Sequence, residues 1–233
     1  MTDYVNQLGG DALRTGPLPE GAAVAVWALD TGLDVVGGIA VAEAARVLDA
    51  GELKQAGLKH RPADRHRYTA SHIGLRVLLG GHLGVAPAEV VLVREDCPSC
   101  AGPHGRPAVA GGGVHFSLSH SGDVAYVALA PQPVGVDIEE YPSAQAVADV
   151  LGNLHPRETA ELTALPEADR RSALARVWSR KEACLKGIGT GIALGIDEPY
   201  VGSGPTPAAV PDWLLTDLPA PTGYAAALAV RDA

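Results

Sequence analysis

Two short stretches of the sequence carry the side chains best suited to chemistry. Asp137 and Glu139 are two residues apart in a segment with the pattern of a strand, and Glu182 and Lys186 are four apart in a segment with the pattern of a helix. Both spacings place the two side chains on one face of their element. Carboxylate oxygens are ligands that Mg²⁺ prefers, and a neighbouring lysine can bind a phosphate group. Together the two stretches predict a magnesium site beside a phosphate-binding cation.

Each stretch also has an ordinary structural explanation, which stays open at this point. Two acids on an edge strand can simply be solvated, and a Glu–Lys pair four residues apart is a common surface salt bridge. The glycine-rich segment 187–191 after Lys186 favours a binding role, because backbone can approach a ligand closely where side chains are absent. Trp178, one turn before Glu182, is expected to anchor the core.

A third stretch, residues 116–122, places His120 between two serines at the expected end of a strand. Such a histidine could donate hydrogen bonds to phosphate oxygens, or it could cap the backbone of its own turn. The sequence has no Gly-x-Ser-x-Gly motif, and no residue is a convincing covalent nucleophile. The stretch therefore predicts either a phosphate contact or a turn.

The charge of the chain is acidic overall but unevenly spread. A net charge of −9 argues against a general nucleic-acid binder, which would usually be basic. Residues 53–76 nevertheless contain six arginines and lysines against one acid. Such a basic island favours a small anionic ligand, although a solvated helix face with extended arginines would have the same composition.

The composition is that of a folded globular protein, with 47% hydrophobic and 19% charged residues. The sequence has no apolar run of membrane-spanning length, and its first residues lack the layout of a secretory signal, so we expect a cytoplasmic protein with no membrane partner. Its three cysteines are then expected to be reduced. Cys97, Cys100 and His104 have the spacing of a zinc knuckle, but no fourth ligand is evident. A reduced surface loop is predicted there, with zinc as the alternative.

Strands and helices are predicted to be interleaved along the chain. The strands are expected at residues 24–29, 90–93, 114–119, 124–129, 134–139, 213–216 and 224–230. The helices are expected at residues 41–53, 67–83, 144–151, 156–165 and 170–186. The turn at residues 120–123 predicts a hairpin, strand 90–93 is expected to be buried, and the Pro-Gln-Pro break at 131–133 predicts a boundary between two lobes. Each lobe has one major helix and a few short strands, an α+β pattern.

Taken together, the three stretches resemble a known family signature. In their order and spacing, Phe116–Gly122, Gly135–Glu139 and Trp178–Lys186 are similar to the motifs of the 4′-phosphopantetheinyl transferases, of the large monomeric type associated with surfactin synthetase. Gly105–Pro107 resembles the Gly-Lys-Pro of that family with arginine for lysine, and Asp64–Arg67 extends the resemblance toward the N-terminus.

The resemblance implies a fold. It is an α+β, pseudo-twofold monomer of two similar lobes, each a long helix packed on a small, mainly antiparallel sheet. The lobe of residues 1–131 would bind the phosphates and nucleotide of coenzyme A. The lobe of residues 132–233 would bind Mg²⁺ and carry the catalytic groups.

The resemblance also implies roles for individual residues. Asp137, Glu139 and Glu182 would bind Mg²⁺, which would bridge the pyrophosphate of coenzyme A. Glu182, Lys186 and His120 would be the catalytic residues, with Glu182 as general base, directly or through water. The residues implied to contact coenzyme A are Lys59, Arg61, His66, Arg67, Arg106, Pro107, Ser119, His120 and Lys186.

The implied reaction transfers the 4′-phosphopantetheine arm of coenzyme A to a serine of an apo acyl or peptidyl carrier protein and releases adenosine 3′,5′-bisphosphate. This is the activity of a holo-[acyl-carrier-protein] synthase. The implied setting is polyketide, nonribosomal peptide and antibiotic biosynthesis, with no nucleic-acid partner. Two alternatives stay open: a Mg²⁺-dependent hydrolase of a pyrophosphate-bearing nucleotide, and a non-catalytic module that binds carrier proteins.

Overall fold

The computed structural model describes residues 5–13 and 24–232, and these residues form a mixed α+β structure, as the sequence predicted. The expectation about the first residues falls partly on residues 1–4, which lie outside the described ranges. Within those ranges, no helix combines the length and apolar character needed to cross a bilayer.

The strands and helices have the following bounds. The strands are β1 (Val5–Leu8), β2 (Ala25–Asp30), β3 (Val35–Val36), β4 (Ile39–Ala40), β5 (Leu92–Arg94), β6 (Pro107–Val109), β7 (His115–Ser121), β8 (Val124–Ala130), β9 (Val134–Glu140), β10 (Trp213–Leu218) and β11 (Tyr224–Arg231). The α-helices are α1 (Ala50–Gly57), α2 (Pro62–Leu83), α3 (Ala144–Leu151), α4 (Pro156–Ala164) and α5 (Glu167–Ile188).

In the first half of the chain, the long helix α2 packs on a four-stranded sheet. The strand order is β1-β2-β8-β7, with a parallel pair between β1 and β2 and antiparallel pairs elsewhere. The predicted hairpin is confirmed as β7 and β8, whose turn has Gly122 at a positive φ of 53°. Ile73 and Leu78 of α2 are completely buried in the same apolar cluster as Phe116 of β7.

In the second half, the long helix α5 packs on a three-stranded antiparallel sheet of order β10-β11-β9. Leu174 and Val177 of α5 share a buried cluster with Trp213 and Ala227 of that sheet. A third buried cluster joins the two sheets, since it combines residues of β2 and β8 with residues of β9 and β11. Both α2 and α5 have 22 residues, whereas a twofold relation between the halves remains a prediction.

One predicted helix is wrong, and one predicted strand is present but is not buried as expected. The helix expected at 41–53 is a 3₁₀ segment, Val41–Arg46, followed by α1, because Asp49 is extended and caps α1 through a reciprocal pair of hydrogen bonds with Glu52. The strand expected to be buried at 90–93 is β5, which pairs with β6 across a small hairpin. Val91 is 60% exposed there, because this hairpin lies outside the two packed sheets.

The two long helices extend beyond their predicted bounds. α2 begins at Pro62, five residues before the expected start, because proline fits the first turn of a helix, where its missing N–H is not needed. α5 runs past the expected end at Lys186 to Ile188, so Gly187 lies inside the helix. Gly189 ends it at a positive φ of 94°.

Helix α5 lies unusually close to strand β9, and two glycines make this possible. A Cβ on Gly135 of β9 would overlap the carbonyl oxygen of Ala183, and a Cβ on Gly187 would come within 2.5 Å of the Trp213 ring. Backbone therefore contacts backbone where α5 crosses β9. The contact brings the helix residues Glu182 and Lys186 against the strand residues Asp137 and Glu139.

Candidate active site

Three carboxylates from β9 and α5 converge beside this contact. Asp137 is only 1% exposed, and burial raises the pKa of its carboxyl group despite the neighbouring Lys186. Burial, followed by the charge of Asp137, raises the pKa of Glu139 to about 7. The same two causes raise the pKa of Glu182. The three acids therefore lie close enough together to oppose one another's ionisation.

Lys186 pairs with the strand carboxylate and not with its own helix neighbour. Its Nζ lies 2.5 Å from Asp137 Oδ1 and 2.9 Å from Ser119 Oγ on β7. The ion pairs of the described residues include none between Lys186 and Glu182, so the ordinary surface salt bridge is not what the structure contains. The lysine instead connects β7 of the first sheet with β9 of the second.

The three carboxylates, Asp137, Glu139 and Glu182, together have the properties of a cation site. Asp137 Oδ2 is buried and has no hydrogen-bond partner among the described residues. Three carboxylates against one lysine leave two negative charges in excess if all four groups ionise. Hard oxygen ligands with excess negative charge fit Mg²⁺, which keeps several waters and usually takes one or two carboxylates together with substrate phosphates. The donor set therefore fits the chemistry of the ion that the sequence predicted, while the oxygen atoms of the three acids do not all lie within 4.8 Å of one another in the structure.

Three serines of β7 form hydrogen bonds with the strand β9 that carries Asp137 and Glu139. Ser117 Oγ accepts a hydrogen bond from Val136 N at 3.0 Å, and Ser121 Oγ accepts one from Glu140 N at 3.1 Å. Between them, Ser119 Oγ donates to Asp137 Oδ1 at 2.7 Å. The alternation of these serines places them on one face of β7. This alternation is visible in the sequence, but the sequence predicted a binding role for Ser119 alone among the three.

A cleft of about 590 Å³ opens between α2, the β5–β6 hairpin and the end of α5. Of the residues predicted to bind or act, Arg106, Pro107 and Lys186 line it. Arg106 forms an ion pair with Glu95 at 2.7 Å and donates from Nη1 to the Gly187 carbonyl oxygen at 2.9 Å. Arg106 therefore links the β5–β6 hairpin to the end of α5, one residue beyond Lys186.

His120 lies at the end of β7, close to several cations. Partial burial, followed by the positive charges of His72, Lys59, Lys186 and Arg67, lowers the pKa of its imidazole. A group of cations that oppose one another's charge is a suitable environment for an anion. The structure therefore brings together four of the predicted residues: Lys59, Arg67, His120 and Lys186.

Three residues of the predicted basic group, Arg67 among them, lie outside the cleft. His66 Nε2 is 3.0 Å from the Leu33 carbonyl oxygen, and Arg61 is the exposed N-cap residue of α2. Arg67 forms ion pairs with Asp123 and Asp64 at 2.7 and 3.1 Å. None of these three basic side chains is among the described residues that line the cleft.

Sequence reasoning missed two aromatic residues on the α2 side of the cleft. Tyr68 and His72 both line it, and their rings stack with centroids 4.0 Å apart. His72 Nδ1 lies 2.9 Å from Glu52, and Lys59 Nζ lies 5.5 Å from the centre of the Tyr68 ring. The signal was available, because Tyr68 and His72 are four residues apart in a helix and share a face.

Comparison with known proteins gives consistent matches. Residues 133–229 match the family model described as the 4′-phosphopantetheinyl transferase superfamily. The chain is 34% identical over 192 residues to the 4′-phosphopantetheinyl transferase HetI of Nostoc sp., covering 80% of this chain and 79% of that protein.

Two further relatives are matched over smaller shares. A phosphopantetheinyl transferase of Thraustochytrium sp. is 33% identical over 75% of this chain and 64% of its own length. The 4′-phosphopantetheinyl transferase Sfp of Bacillus subtilis is 29% identical over 52% of this chain and 55% of its own length. The chain thus covers less than two thirds of either of these two proteins.

Proposed function

The chain belongs to the 4′-phosphopantetheinyl transferases, and from this we propose how its side chains share the work of the reaction. The protein transfers the 4′-phosphopantetheine arm of coenzyme A to a serine of an apo acyl or peptidyl carrier protein, releasing adenosine 3′,5′-bisphosphate. The observation that carries the residue assignment is the half-buried contact of Lys186 with Asp137 and Ser119, beside Glu139 and Glu182.

In this proposal Asp137, Glu139 and Glu182 hold Mg²⁺. The support is the unpartnered Asp137 Oδ2 and the raised pKa of each carboxyl group, which show that nearby groups of the protein only partly compensate the negative charge. Bound there, the ion would supply Lewis-acid stabilisation of charge on the pyrophosphate oxygens.

Lys186 has the position of the phosphate-binding cation. Its ammonium group has three donors; two make short contacts to Asp137 and Ser119, and the third makes only a long one, 3.5 Å to the Val136 carbonyl oxygen. We assign to it the phosphate that is transferred, where it would balance charge that develops during the reaction. Ser119 and His120 would contact coenzyme A from the end of β7.

Glu182 is the proposed general base. The serine nucleophile arrives on the carrier protein, which accounts for the absence of a nucleophile in this sequence. Glu182 would accept the proton of that hydroxyl group, directly or through water. Its raised pKa supports the role, because a base whose pKa is closer to neutrality accepts a proton more readily.

The cleft is the proposed site of the nucleotide end of coenzyme A. Arg106 and Pro107 line it, and Lys59 and Arg67 lie within electrostatic range of His120, which supports their assignment to phosphates. Arg61 and His66 belong to the proposal with less structural support, since His66 is hydrogen-bonded to Leu33. Arg67 would exchange its carboxylate partners for phosphate.

The finer organisation is also part of the proposal. We divide the chain into a coenzyme A lobe, residues 1–131, and a Mg²⁺ and catalytic lobe, residues 132–233, related by a pseudo-twofold axis in a cytoplasmic monomer. The carriers proposed are those of polyketide and nonribosomal peptide assembly lines. The support for this setting is the resemblance to the surfactin-synthetase type.

A direct assay tests the function. The protein is incubated with coenzyme A, Mg²⁺ and several apo carrier proteins, and mass spectrometry should detect the phosphopantetheine adduct on each substrate carrier. A carrier whose acceptor serine is replaced by alanine is the control and should remain unmodified. Coenzyme A cleavage without any carrier would instead indicate the hydrolase, and carrier binding with no adduct would indicate the non-catalytic module.

A further inference from the structure

A second group of potential metal ligands lies in the segment between β5 and β6. The ligand atoms of Cys97, Cys100 and His104 all lie within 4.8 Å of one another, and Cys100 Sγ is 3.0 Å from His104 Nε2. No other such close group of three His, Cys, Asp or Glu side chains occurs among the described residues. None of the three cysteines forms a disulfide in the structure. The coenzyme A reaction described above uses none of these side chains.

We propose that Cys97, Cys100 and His104 bind a zinc ion, with a water molecule as the fourth ligand. Two thiolates and an imidazole, with water in the remaining position, are a donor set that zinc accepts. Bonds of about 2.3 Å to sulfur and 2.0 Å to nitrogen place tetrahedral ligand atoms roughly 3.5 to 3.8 Å apart. The observed separations need only small side-chain movements to reach that geometry. Cys100 and His104 are exposed, which gives water access to the fourth position.

The missing fourth protein ligand made the sequence favour a simple reduced loop, but the backbone forms a closed turn around Cys97. Cys97 N donates to the Gly102 carbonyl oxygen at 2.7 Å, and Ala101 N donates to the Cys97 carbonyl oxygen at 2.8 Å. Backbone N–H groups of Ser99 and Cys100 are directed at the Cys97 sulfur. The turn is therefore closed by main-chain hydrogen bonds, with Cys97 buried inside it.

Gly102 is a second indication, independent of the ligand distances. A Cβ at this position would lie 2.9 Å from His104 Cδ2 and 3.3 Å from Cys100 Sγ. A side chain there would push His104 away from Cys100. The absence of a side chain thus permits the approach of the two exposed ligands, which an ordinary surface loop would not require.

The zinc ion would anchor the segment that presents Arg106 to the cleft. Gly105 N donates to the Glu95 carbonyl oxygen at 2.9 Å, and Arg94 Nη1 donates to the Gly105 carbonyl oxygen at 3.0 Å. Arg106 follows directly and reaches Gly187. With two thiolates the zinc site is electrically neutral, so its contribution is to fix backbone and not to add charge to the cleft.

Elemental analysis tests the proposal. The full-length protein is produced with zinc in the medium and purified under reducing conditions without chelator, and we expect one zinc per chain. Cys100→Ser and His104→Ala should reduce the zinc content at least tenfold. The matched controls Cys184→Ala, a buried cysteine of α5, and His82→Ala, at the end of α2, should retain it.

Cobalt gives a second readout that does not depend on activity. Co²⁺ added to the metal-free wild type should produce the absorption of thiolate-to-metal charge transfer and of a tetrahedral ion, and Cys100→Ser should weaken the charge-transfer band by about half. In transferase assays with excess Mg²⁺, removal of zinc should raise the KM for coenzyme A several-fold with little change in kcat.

Three results would overturn the proposal. The first is a reduced wild-type protein that contains no zinc above background. The second is full retention of zinc in both ligand variants. The third is a Cys97–Cys100 disulfide in the protein purified under the same conditions. If a ligand variant fails to fold, chelator-treated wild type replaces it. That protein should take up one zinc on reloading and melt at a higher temperature, and failure to do either counts against the site.

Discussion

Three consecutive residues of α5 contribute to two charge clusters of opposite character. Arg180 and Lys181 are buried and fully paired: Arg180 forms a bidentate ion pair with Asp217, and Lys181 lies 2.9 Å from Glu158. Their remaining donors reach backbone carbonyl groups, such as Arg180 to Gly202 at 2.6 Å and Lys181 to Pro199 at 2.6 Å. This cluster contains equal numbers of positive and negative groups.

The next residue, Glu182, belongs to a cluster that is not balanced. It shares one cation, Lys186, with Asp137 and Glu139, and Asp137 Oδ2 has no hydrogen-bond partner in the described part of the chain. Glu158 Oε2 of the balanced cluster also lacks a hydrogen bond, but it lies 2.9 Å from the Lys181 ammonium group. A balanced buried cluster stabilises one geometry, whereas an unbalanced one is completed by a ligand. The sequence alone does not distinguish the two clusters, because α5 supplies consecutive charged residues to both. The difference lies in the number of opposite charges that each cluster contains.

The largest expected effect comes from removing the central acid of the unbalanced cluster. Asp137→Ala should abolish carrier modification, with kcat/KM lower by on the order of a thousandfold or more, because it removes a proposed ligand of the ion that would stabilise phosphoryl charge. Mass-spectrometric rates on one apo carrier measure this. Circular dichroism should show an intact fold, and full activity in the variant would remove Asp137 from the proposed site.

Replacing the proposed base should have the next largest effect. Glu182→Gln keeps the shape of the side chain but cannot accept a proton, so kcat should fall by roughly 10²–10⁴-fold. The pH–rate profile is the decisive measurement, because the ascending limb of the wild type should disappear. Retention of that limb would assign the titration to another group.

Substitutions in the balanced cluster should lower stability and leave catalysis largely unchanged. Lys181→Met leaves Glu158 buried without its cation, which should cost about 3–5 kcal/mol of unfolding free energy. The activity per folded molecule should change little, and urea unfolding together with single-carrier kinetics separates the two quantities. The double variant Lys181→Met, Glu158→Gln should recover part of the stability, and no recovery would contradict the pairwise explanation.

The pH dependence of stability should distinguish the unbalanced cluster without Mg²⁺. Burial raises the pKa of Glu139 from its usual value of 4.5 to about 7, so in this interval the folded state binds more protons than the unfolded state. The contribution of Glu139 to stability is therefore present at low pH and is lost as pH rises toward 7. As the pH rises from about 4.5 to 7, the melting temperature of the wild type should fall relative to that of Glu139→Gln.

Mg²⁺ should reverse that loss, because it favours the ionised carboxylates and releases protons on binding. Its stabilisation of the wild type should therefore increase from about pH 5 to pH 8, as differential scanning calorimetry can measure. A Mg²⁺ effect that is equal in wild type and Glu139→Gln would separate Glu139 from the ion.

The smallest effect concerns the contacts that hold the unbalanced cluster. Ser117→Ala removes the acceptor for Val136 N and should cost about 1 kcal/mol of unfolding free energy. Because Ser117 does not contact the acids, kcat should fall less than in Glu182→Gln. Thermal unfolding and kinetics on the same preparation provide the comparison, and a thousandfold loss of kcat would show that Ser117 has a direct role.

The sequence predicted the members of the site better than their pairing. Residues two apart in a strand and four apart in a helix are fixed by local geometry, so the shared faces of Asp137 with Glu139 and of Glu182 with Lys186 could be derived. The preference of Lys186 for Asp137 could not, because it depends on the close crossing of α5 over β9 at Gly135.

Helices and strands were predicted correctly where the apolar pattern matched the final packing. They were mispredicted where a short polar motif ended an element or where no second layer covered it. The helix expected at 41–53 has a continuous pattern, yet the capping of α1 by Asp49 interrupts it. The buried strand expected at 90–93 has apolar residues but no second layer to cover all of them. The first error comes from a local capping signal, Asp49 with Glu52, that the apolar pattern does not register. The second comes from the absence of a covering layer, which the local composition does not encode.

The serines of β7 have a consequence for how the two halves of the protein fit together during folding. They repeat every two residues, so a displacement of β7 along β9 by two positions would again present serines to the β9 backbone. Two further contacts distinguish the native alignment from this neighbour: Ser119 meets Asp137 and Lys186, and Ser121 Oγ donates to Glu139 Oε2 at 3.3 Å. The charged residues proposed to serve the reaction would therefore also select the register in which the two sheets dock.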